Sequence, residues 1–277
     1  MERGSLTDSD RKDPAPVDGQ PIVQVPVGHR TDRARFIDPP EPEEAPPDAF
    51  TRRLIQIRAA DSFGHRSSAS ILINRMYSGR GYTTTPLPEE QLPSRLTLVA
   101  SDRNEAIGTL TIGFDMGDGE PLHCEDLFVE EIGALRAAGR RLCEFTKLAM
   151  DHGLDAKPVL ASLFHVAYLY AHRALGYDTL LIEVNPRHVR YYTHMLGFEP
   201  LGPRRLNRRV NAPAVLLALA LRHSREQIAQ FGGHPELATA QRTLYPYFFS
   251  AHEEAGILAR LRKSLPGAPF PESEFHA

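Results

Sequence analysis

The chain has 277 residues, of which 42% are hydrophobic, and a formal net charge of −3. This length and apolar content suffice for one large folded domain with tails. The slight negative charge argues against a nucleic-acid binder that works through a broadly basic surface. The only two cysteines, Cys124 and Cys143, argue against a disulfide scaffold or a zinc-finger type of site.

Several other classes of protein are excluded by missing motifs. No apolar run reaches the ~18 residues that predict a transmembrane helix, and the first residues lack the apolar segment of a secretory signal. We therefore expect a cytoplasmic protein. The histidines lack the spacing of a metal site. The hydrolase motif G-x-S-x-G, the Walker A motif and the Rossmann motif G-x-G-x-x-G are absent from the sequence.

Residues 1–49 have the composition of a disordered tail. The segment 38–48, DPPEPEEAPPD, is acidic and dense in proline. Such a segment buries too little apolar surface to offset the entropy of ordering it. The sequence VPV at 25–27 is the one candidate for a short strand within the tail.

Residues 50–222 have the pattern of a mixed α/β domain, with the strands recognised by alternation and the helices by 3.6-residue spacing. The predicted elements, in chain order, are a strand at 52–60, a helix at 67–77, strands at 94–102 and 107–115, a helix at 127–138, a strand at 141–150, a helix from Pro158 to Leu175, a strand at 179–185, a helix at 186–196, and strands starting at 198–202 and at 212–222. We expect one mixed sheet with helices on both faces. Residues 223–277 are predicted to form a C-terminal extension of short helices.

Two kinds of side chain are candidates for acid–base chemistry. Glu144 lies within a predicted strand, where it either faces solvent or pairs with Lys147, or is a partly buried carboxylate. Burial raises the pKa of a carboxylate, and this suits a general base. Tyr191 and Tyr192 are adjacent on a helix, so only one of them faces the core. That phenol either packs, as most buried tyrosines do, or protonates a leaving thiolate.

Two further segments are candidates for binding anions. The helix start at Lys157 offers free backbone N–H groups. The turn before it contains only Gly153, so it is a poor cradle for a pyrophosphate but sufficient for a single phosphate. The basic run 204–209 contains Arg204, Arg205, Arg208 and Arg209. It is either a solvated turn or a site for an acidic partner or a substrate carboxylate.

The residues that follow position 123 resemble a known family. CEFTKLAMD, then LLIEVNP, then HVRYYTHMLGF are similar to the second half of a GNAT-like acyltransferase. CEDLFVEEIGALRAAGRRLCEFTKLAMD and Gly79-Arg80-Gly81-Tyr82 resemble segments of the long-chain N-acyl amino acid synthases (the FeeM-like group) and, more distantly, of the acyl-homoserine-lactone synthases. Lys147 stands where that family usually has arginine, so it lacks the planar fork of a guanidinium.

The resemblance implies transfer of a long acyl chain from the phosphopantetheine thioester of an acyl carrier protein, or from acyl-coenzyme A, to the amine of an amino acid. It implies no bound cofactor. Glu144 would accept the amine proton and Tyr192 would protonate the thiolate. The implied donor-binding residues are Leu148, Met150, Lys157 and Asn185. The implied substrate-binding residues are Lys147, Tyr191, Arg204 and Arg205.

Two other functions remain open from the sequence. One is an N-acetyltransferase that uses acetyl-coenzyme A, although the glycine-poor turn at 151–162 argues against it. The other is a GNAT-like module that binds a lipid or a partner without catalysis. The C-terminal helices either cover an acyl tunnel or form a homodimer.

Overall fold

The computed structural model describes residues 21–27, 53–82, 84–90, 92–117, 119–151 and 156–264. Within these ranges the strands are β1 (Val23–Val27), β2 (Arg53–Ala59), β3 (Arg95–Asp102), β4 (Glu105–Phe114), β5 (Leu142–Met150), β6 (Thr179–Val184), β7 (Glu199–Asn207) and β8 (Ala212–Ala220). The helices are α1 (Phe63–Ser78), α2 (Glu125–Ala137), α3 (Ala156–Tyr168), α4 (Pro186–Leu196), α5 (Leu221–Phe231), α6 (Ala238–Gln241) and α7 (Ala251–Ser264).

All the described strands belong to one mixed sheet, in the order β1-β2-β3-β4-β5-β6-β8-β7. The pairs are antiparallel except for β5 with β6, which is parallel. A parallel pair needs a crossover connection, and α3 lies in the segment that joins these two strands. The mixed sheet and the β3–β4 hairpin predicted from the sequence are confirmed.

The two faces of the sheet carry different helices. On one face, which we call the α1/α2 face, Phe128 and Ile132 of α2 pack on Leu142 and Leu181, and α1 packs on β4 and β5. On the other, the α3/α4 face, the largest apolar cluster joins α3, α4 and the C-terminal helices to the strands. Successive residues of β5 point to opposite faces, so each face receives every second side chain.

The centre of the sheet is split. Only Leu142–Glu144 of β5 pair with Thr179–Leu181 of β6. Beyond Glu144, β5 contains a bulge at which Lys147 adopts a left-handed φ of 49°. A bulge bends its strand, and from this point the described strands β5 and β6 are no longer paired. We call the opening between 145–150 and 182–184 the β5–β6 fork.

Some boundaries differ from the sequence predictions. The helix predicted from Pro158 to Leu175 is α-helical only to Tyr168 and continues as a π-helical turn, Leu169–Ala174. The strand predicted at 212–222 ends at Ala220, because α5 begins at Leu221. The basic run is a strand rather than a solvated turn up to Asn207, because Gly202, with φ of 78°, sits in a bulge that lets β7 keep pairing with β8.

The N-terminal prediction is tested only at one place. Residues Val23–Val27 form β1, an edge strand that pairs antiparallel with β2, so the short strand considered at 25–27 exists. Residues 1–20 and 28–49 of the predicted tail lie outside the described residues.

The C-terminal extension is anchored to α3 through His165, which is fully buried. Its Nδ1 accepts a hydrogen bond from Phe249 N at 2.8 Å, and its Nε2 lies 2.8 Å from Glu254 Oε1. Since Nδ1 is the acceptor, Nε2 carries the proton of a neutral imidazole. Phe248 and Phe249 stack on the ring. Burial is the largest effect on the pKa of His165 and lowers it, against the opposing influence of Glu254.

This anchor predicts a dependence of stability on pH. Its contribution is complete above the unfolded-state pKa of ~6.5 and is lost as pH falls below that value toward the lower folded-state pKa, by up to about 1.4 kcal/mol per pH unit for one proton. The free energy of unfolding, measured with urea at several pH values across that range, should change less steeply with pH for His165→Gln than for the wild type. The glutamine amide can make both hydrogen bonds but does not titrate. The exposed His252 on α7 gives the control, His252→Gln. Equal slopes for wild type and His165→Gln would contradict the prediction.

Candidate active site

Glu144 is the last residue of β5 that pairs with β6, and its side chain points to the α1/α2 face. It is 1% exposed. Oε1 accepts hydrogen bonds from Arg95 Nη1 at 3.0 Å and from the backbone N of His123 at 2.7 Å, and Oε2 accepts one from Cys124 N at 3.2 Å. The ion-pair partner is therefore Arg95, not Lys147. Besides these three donors, the thiol of Cys124 lies close enough to Glu144 for the carboxylate to help raise the pKa of that thiol, after the larger effect of burial.

The close approach of this ion pair to the sheet depends on Gly113, which lies opposite Glu144 on β4. A Cβ at this position would lie 2.8 Å from Glu144 Cγ and Oε1 and 2.9 Å from Arg95 Nη1. Any side chain here would therefore displace the carboxylate or the guanidinium.

An open cleft, which we call the Lys147 cleft, lies beside Glu144 on the same face. Its lining combines charged side chains with an apolar rim from the segment before β3. It is formed by Ala60, Arg66, Leu87, Pro88, Glu90, Leu92, Arg95, Thr97, Thr111, His123 and Lys147. The hydroxyls of Thr97 and Thr111 hydrogen-bond to each other at 2.8 Å across its floor.

Two cations in the cleft have no carboxylate partner among the residues that the structure describes. Burial, followed by the nearby Arg95, lowers the pKa of Lys147. Arg66 donates from Nη1 to Ala60 O at 2.9 Å, and its buried Nε has no acceptor. Burial also lowers the pKa of His123, although Glu144 opposes that effect. An anionic group bound here would satisfy cations that are now uncompensated.

A second carboxylate, Glu183 of β6, lies on the same face. It accepts a hydrogen bond from Asn207 Nδ2 and lies 3.8 Å from Arg209. Burial raises the pKa of Glu183. Arg209 also pairs with Asp126 at 3.0 Å and donates to His123 O at 2.7 Å. Arg209, one of the basic run, thus ties the segment between β7 and β8 to α2.

Tyr192 of α4 packs against the apolar cluster of the α3/α4 face. Its ring centroid is 5.8 Å from that of Phe198 on the α3/α4 face. Burial raises the pKa of Tyr192, and Tyr191 and Tyr77 add to the shift. Tyr77 belongs to α1 on the opposite face of the sheet. Tyr191 is the more exposed of the adjacent pair, at 37%.

The predicted donor-binding residues lie around the β5–β6 fork. Leu148 and Met150 are on the part of β5 that has left β6, and both pack against the core. Lys157 is exposed in the first turn of α3. Asn185 caps α4 by accepting a hydrogen bond from Arg187 N at 3.2 Å. Since β5 and β6 are parallel, α3 and α4 begin at one edge of the sheet. Residues 152–155, which are part of the predicted glycine-poor turn at 151–162, lie outside the described residues.

Arg204 and Arg205 lie apart from this opening, on the outermost strand β7. The guanidinium of Arg205 forms ion pairs with Glu131 at 2.7 Å and with Glu130 at 3.9 Å. Arg205 thereby ties β7 to α2. Arg204 and Arg208 are exposed and make no ion pair within the described ranges.

Several polar residues of the site were not predicted from the sequence. Arg95, Arg66 and Glu183 were passed over, and His123 was noted only as one of many histidines. A signal existed for Glu183, which is the one charge in the apolar strand TLLIEV. Arg95 is likewise a charged residue next to an apolar stretch, at the start of β3.

Comparison with known families decides the class of this molecule. The family of the N-acyl amino acid synthase FeeM matches residues 68–220, more than half of the chain. The chain belongs to the FeeM family of N-acyl amino acid synthases. The match ends before α5, so the C-terminal helices lie beyond it.

The solved structure of FeeM, an N-acyl amino acid synthase from uncultured soil microbes, has 28% sequence identity, covers 65% of this chain and 99% of its own, and has a TM-score of 0.57. An N-acetyltransferase from Staphylococcus aureus Mu50 has 13% identity over 61% of this chain and 98% of its own (TM-score 0.43). The acyl-homoserine-lactone synthase LasI has 12% identity over 60% of this chain and 89% of its own (TM-score 0.41). No curated protein matches the chain.

As a member of the FeeM family, the chain is an acyltransferase. The GNAT-like α/β class and the resemblance to N-acyl amino acid synthases predicted from the sequence are confirmed. Across the described residues, no helix is long and apolar enough to span a membrane.

Proposed function

We propose that this FeeM-family enzyme transfers a long acyl chain from the phosphopantetheine thioester of an acyl carrier protein to the α-amine of an amino acid. The observation that carries the proposal is the β5–β6 fork. At its closed end, Glu144 and Phe145 are consecutive residues, so they point to opposite faces. The buried carboxylate contacts Arg95 and His123, which line the cationic cleft, and the aromatic side chain faces the apolar core.

The donor's arm would enter the fork from the edge where α3 and α4 begin. Beyond Glu144, the β6-facing edge of β5 has no described strand paired with it. Backbone N–H and C=O groups need partners, and the amides of a pantetheine arm can supply them near Leu148 and Met150. The N-terminal turns of α3 and α4, at Lys157 and Asn185, are suited to the single phosphate of the arm.

The carrier protein is acidic, so we propose that it docks on cations around this edge. Lys157, Arg80 and Arg187 are exposed there and make no ion pair in the described part of the chain. Arg80 and Arg187 are close enough to His188 to contribute to lowering its pKa. Arg204 would contact a docked carrier protein only at the periphery of the interface. Arg205 would contact it only after breaking its ion pair with Glu131.

The acceptor would enter from the Lys147 cleft. We propose that Lys147 and Arg66 hold its carboxylate, because both cations lack an anionic partner among the described residues. Tyr191 would contact its side chain at the mouth of the fork. Glu144, directly or through a water, would take the proton of the attacking amine.

Tyr192 would protonate the leaving thiolate, a role that fits a phenol whose raised pKa keeps it protonated. We expect Tyr192→Phe to lower turnover by ~10²-fold near neutral pH. The deficit should shrink above the thiol pKa of ~8.5, where the thiolate leaves without a proton. Turnover measured against pH tests this, with Tyr170→Phe as a control for loss of another buried phenol. A deficit that does not change with pH would count against an acid role.

The proposed function is tested by supplying one acyl chain on acyl carrier protein and on coenzyme A, with an amino acid mixture and the matching decarboxylated amines, and identifying products by mass spectrometry. We expect N-acyl amino acids, a higher kcat/KM with the carrier donor, and poor transfer to amines that lack the carboxylate. Acetyl transfer from acetyl-coenzyme A alone would indicate an acetyltransferase. No product from any donor would indicate a non-catalytic module.

A further inference from the structure

A second pocket lies on the α3/α4 face, on the far side of the sheet from Glu144. Apart from Ser224, its lining side chains are aliphatic or aromatic. The strands contribute Phe145, Leu180 and Leu219, and the C-terminal extension contributes Tyr245 and Phe248. Such a lining suits a hydrocarbon chain and offers almost nothing to a polar ligand.

The pocket begins at the closed end of the β5–β6 fork. Phe145 is the first residue of β5 after its last pair with β6, and Leu180 lies within the paired segment. Leu180 is directly opposite Leu219 of β8. A thioester held at the end of the fork would therefore have the cationic cleft on one side and this pocket on the other.

The C-terminal extension closes the pocket with side chains that are fixed in place. Tyr245 is 1% exposed and donates from its hydroxyl to Leu196 O at 2.7 Å, with Ser224 Oγ at 3.2 Å. Phe248 stacks on His165 of α3 with ring centroids 4.9 Å apart. A wall held by buried hydrogen bonds and ring stacking is rigid.

We propose that the C-terminal extension is the end wall of the acyl pocket, and that Tyr245 and Phe248 limit the length of the acyl chain that the enzyme accepts. This inference rests on the proposed function. The family match ends at residue 220, so the wall comes from a part of the chain that the match does not include.

The test is the dependence of kcat/KM on the length of the acyl chain. It is measured on the full-length protein with a series of saturated acyl thioesters of increasing length. Phe248→Ala should shift the preference toward longer chains, changing the ratio of longer to shorter donors by about tenfold or more. Phe249→Ala is the matched control, because it removes a neighbouring ring that also stacks on His165 but does not line the pocket. Phe248→Leu is the milder variant if Phe248→Ala does not fold.

Binding of non-transferable acyl-pantetheine thioethers of the same lengths, measured by calorimetry, gives a readout that does not need turnover. A folded Phe248 variant with the wild-type length preference in both assays would overturn the inference while leaving the transfer reaction intact. If the wild-type protein makes no product, the proposed function is overturned. If Phe248→Ala nevertheless changes the dependence of thioether affinity on acyl length, the inference about the end wall is supported. The same shift in Phe249→Ala would show general loosening of the core and overturn the inference.

Discussion

Glu144→Gln is expected to lower turnover by ~10²-fold or more, because an amide cannot take a proton from the attacking amine. The same change should lower the free energy of unfolding by up to about 3 kcal/mol, because Arg95 loses its buried ionic partner and keeps only the exposed Glu120. Turnover should therefore be measured per folded molecule, with the melting curve recorded for each variant at the assay temperature.

Two control variants test whether the loss of turnover in Glu144→Gln comes from lost proton transfer or from the lost negative charge. Glu183→Gln removes a partly buried carboxylate of the same face and should leave turnover near the wild-type value. His123→Asn removes an imidazole that lines the Lys147 cleft and whose lowered pKa favours its neutral form. If His123→Asn abolishes turnover while folded Glu144→Gln retains it, His123 and not Glu144 is the base.

Gly113→Ala should have an effect of similar size on activity without touching an ionisable group. Its Cβ would lie within 3 Å of Glu144 and Arg95, so the ion pair must move. A displacement of ~1 Å at a reacting group costs on the order of 10²-fold in rate, and overpacking costs about 1–3 kcal/mol in stability. We expect both losses, measured by steady-state kinetics and by denaturant unfolding.

Gly133→Ala provides the comparison, because Gly133 lies in α2 and an added methyl group there would meet no atom within 4 Å. Alanine in a helix is favoured over glycine by roughly 0.5–1 kcal/mol, so this variant should be slightly more stable and fully active. Full activity in Gly113→Ala as well would show that the position of the Glu144–Arg95 pair does not matter for the reaction.

The sequence was sufficient for the fold because its periodic segments are long. Alternation predicted β3 and β4, and the apolar run TLLIEV predicted a central strand. The basic run was the weaker case. Its arginines obscured a strand that depends on Gly202 and on contacts with Glu131, and Glu131 lies far away in the sequence. Pairing between distant segments overrides local composition there.

The site was less predictable for the same physical reason. Glu144 stood out as a carboxylate within a strand, but its partners come from β3 and from the loop before α2. Nothing in the spacing of Arg95, His123 and Glu144 indicates that they meet. The two cations proposed to bind the acceptor, Arg66 and Lys147, lie on different elements and meet only because α1 covers the bulge in β5.

The split between β5 and β6 also determines what donor binding costs. The sheet is in effect a five-strand and a three-strand unit joined by three residue pairs. Entry of a slender arm into the opening breaks no strand-to-strand hydrogen bond, because the strands have already separated where the arm would lie. If the arm binds as proposed, the slot is pre-organised, and the interaction energy of the arm would be retained as affinity because none is needed to separate the strands.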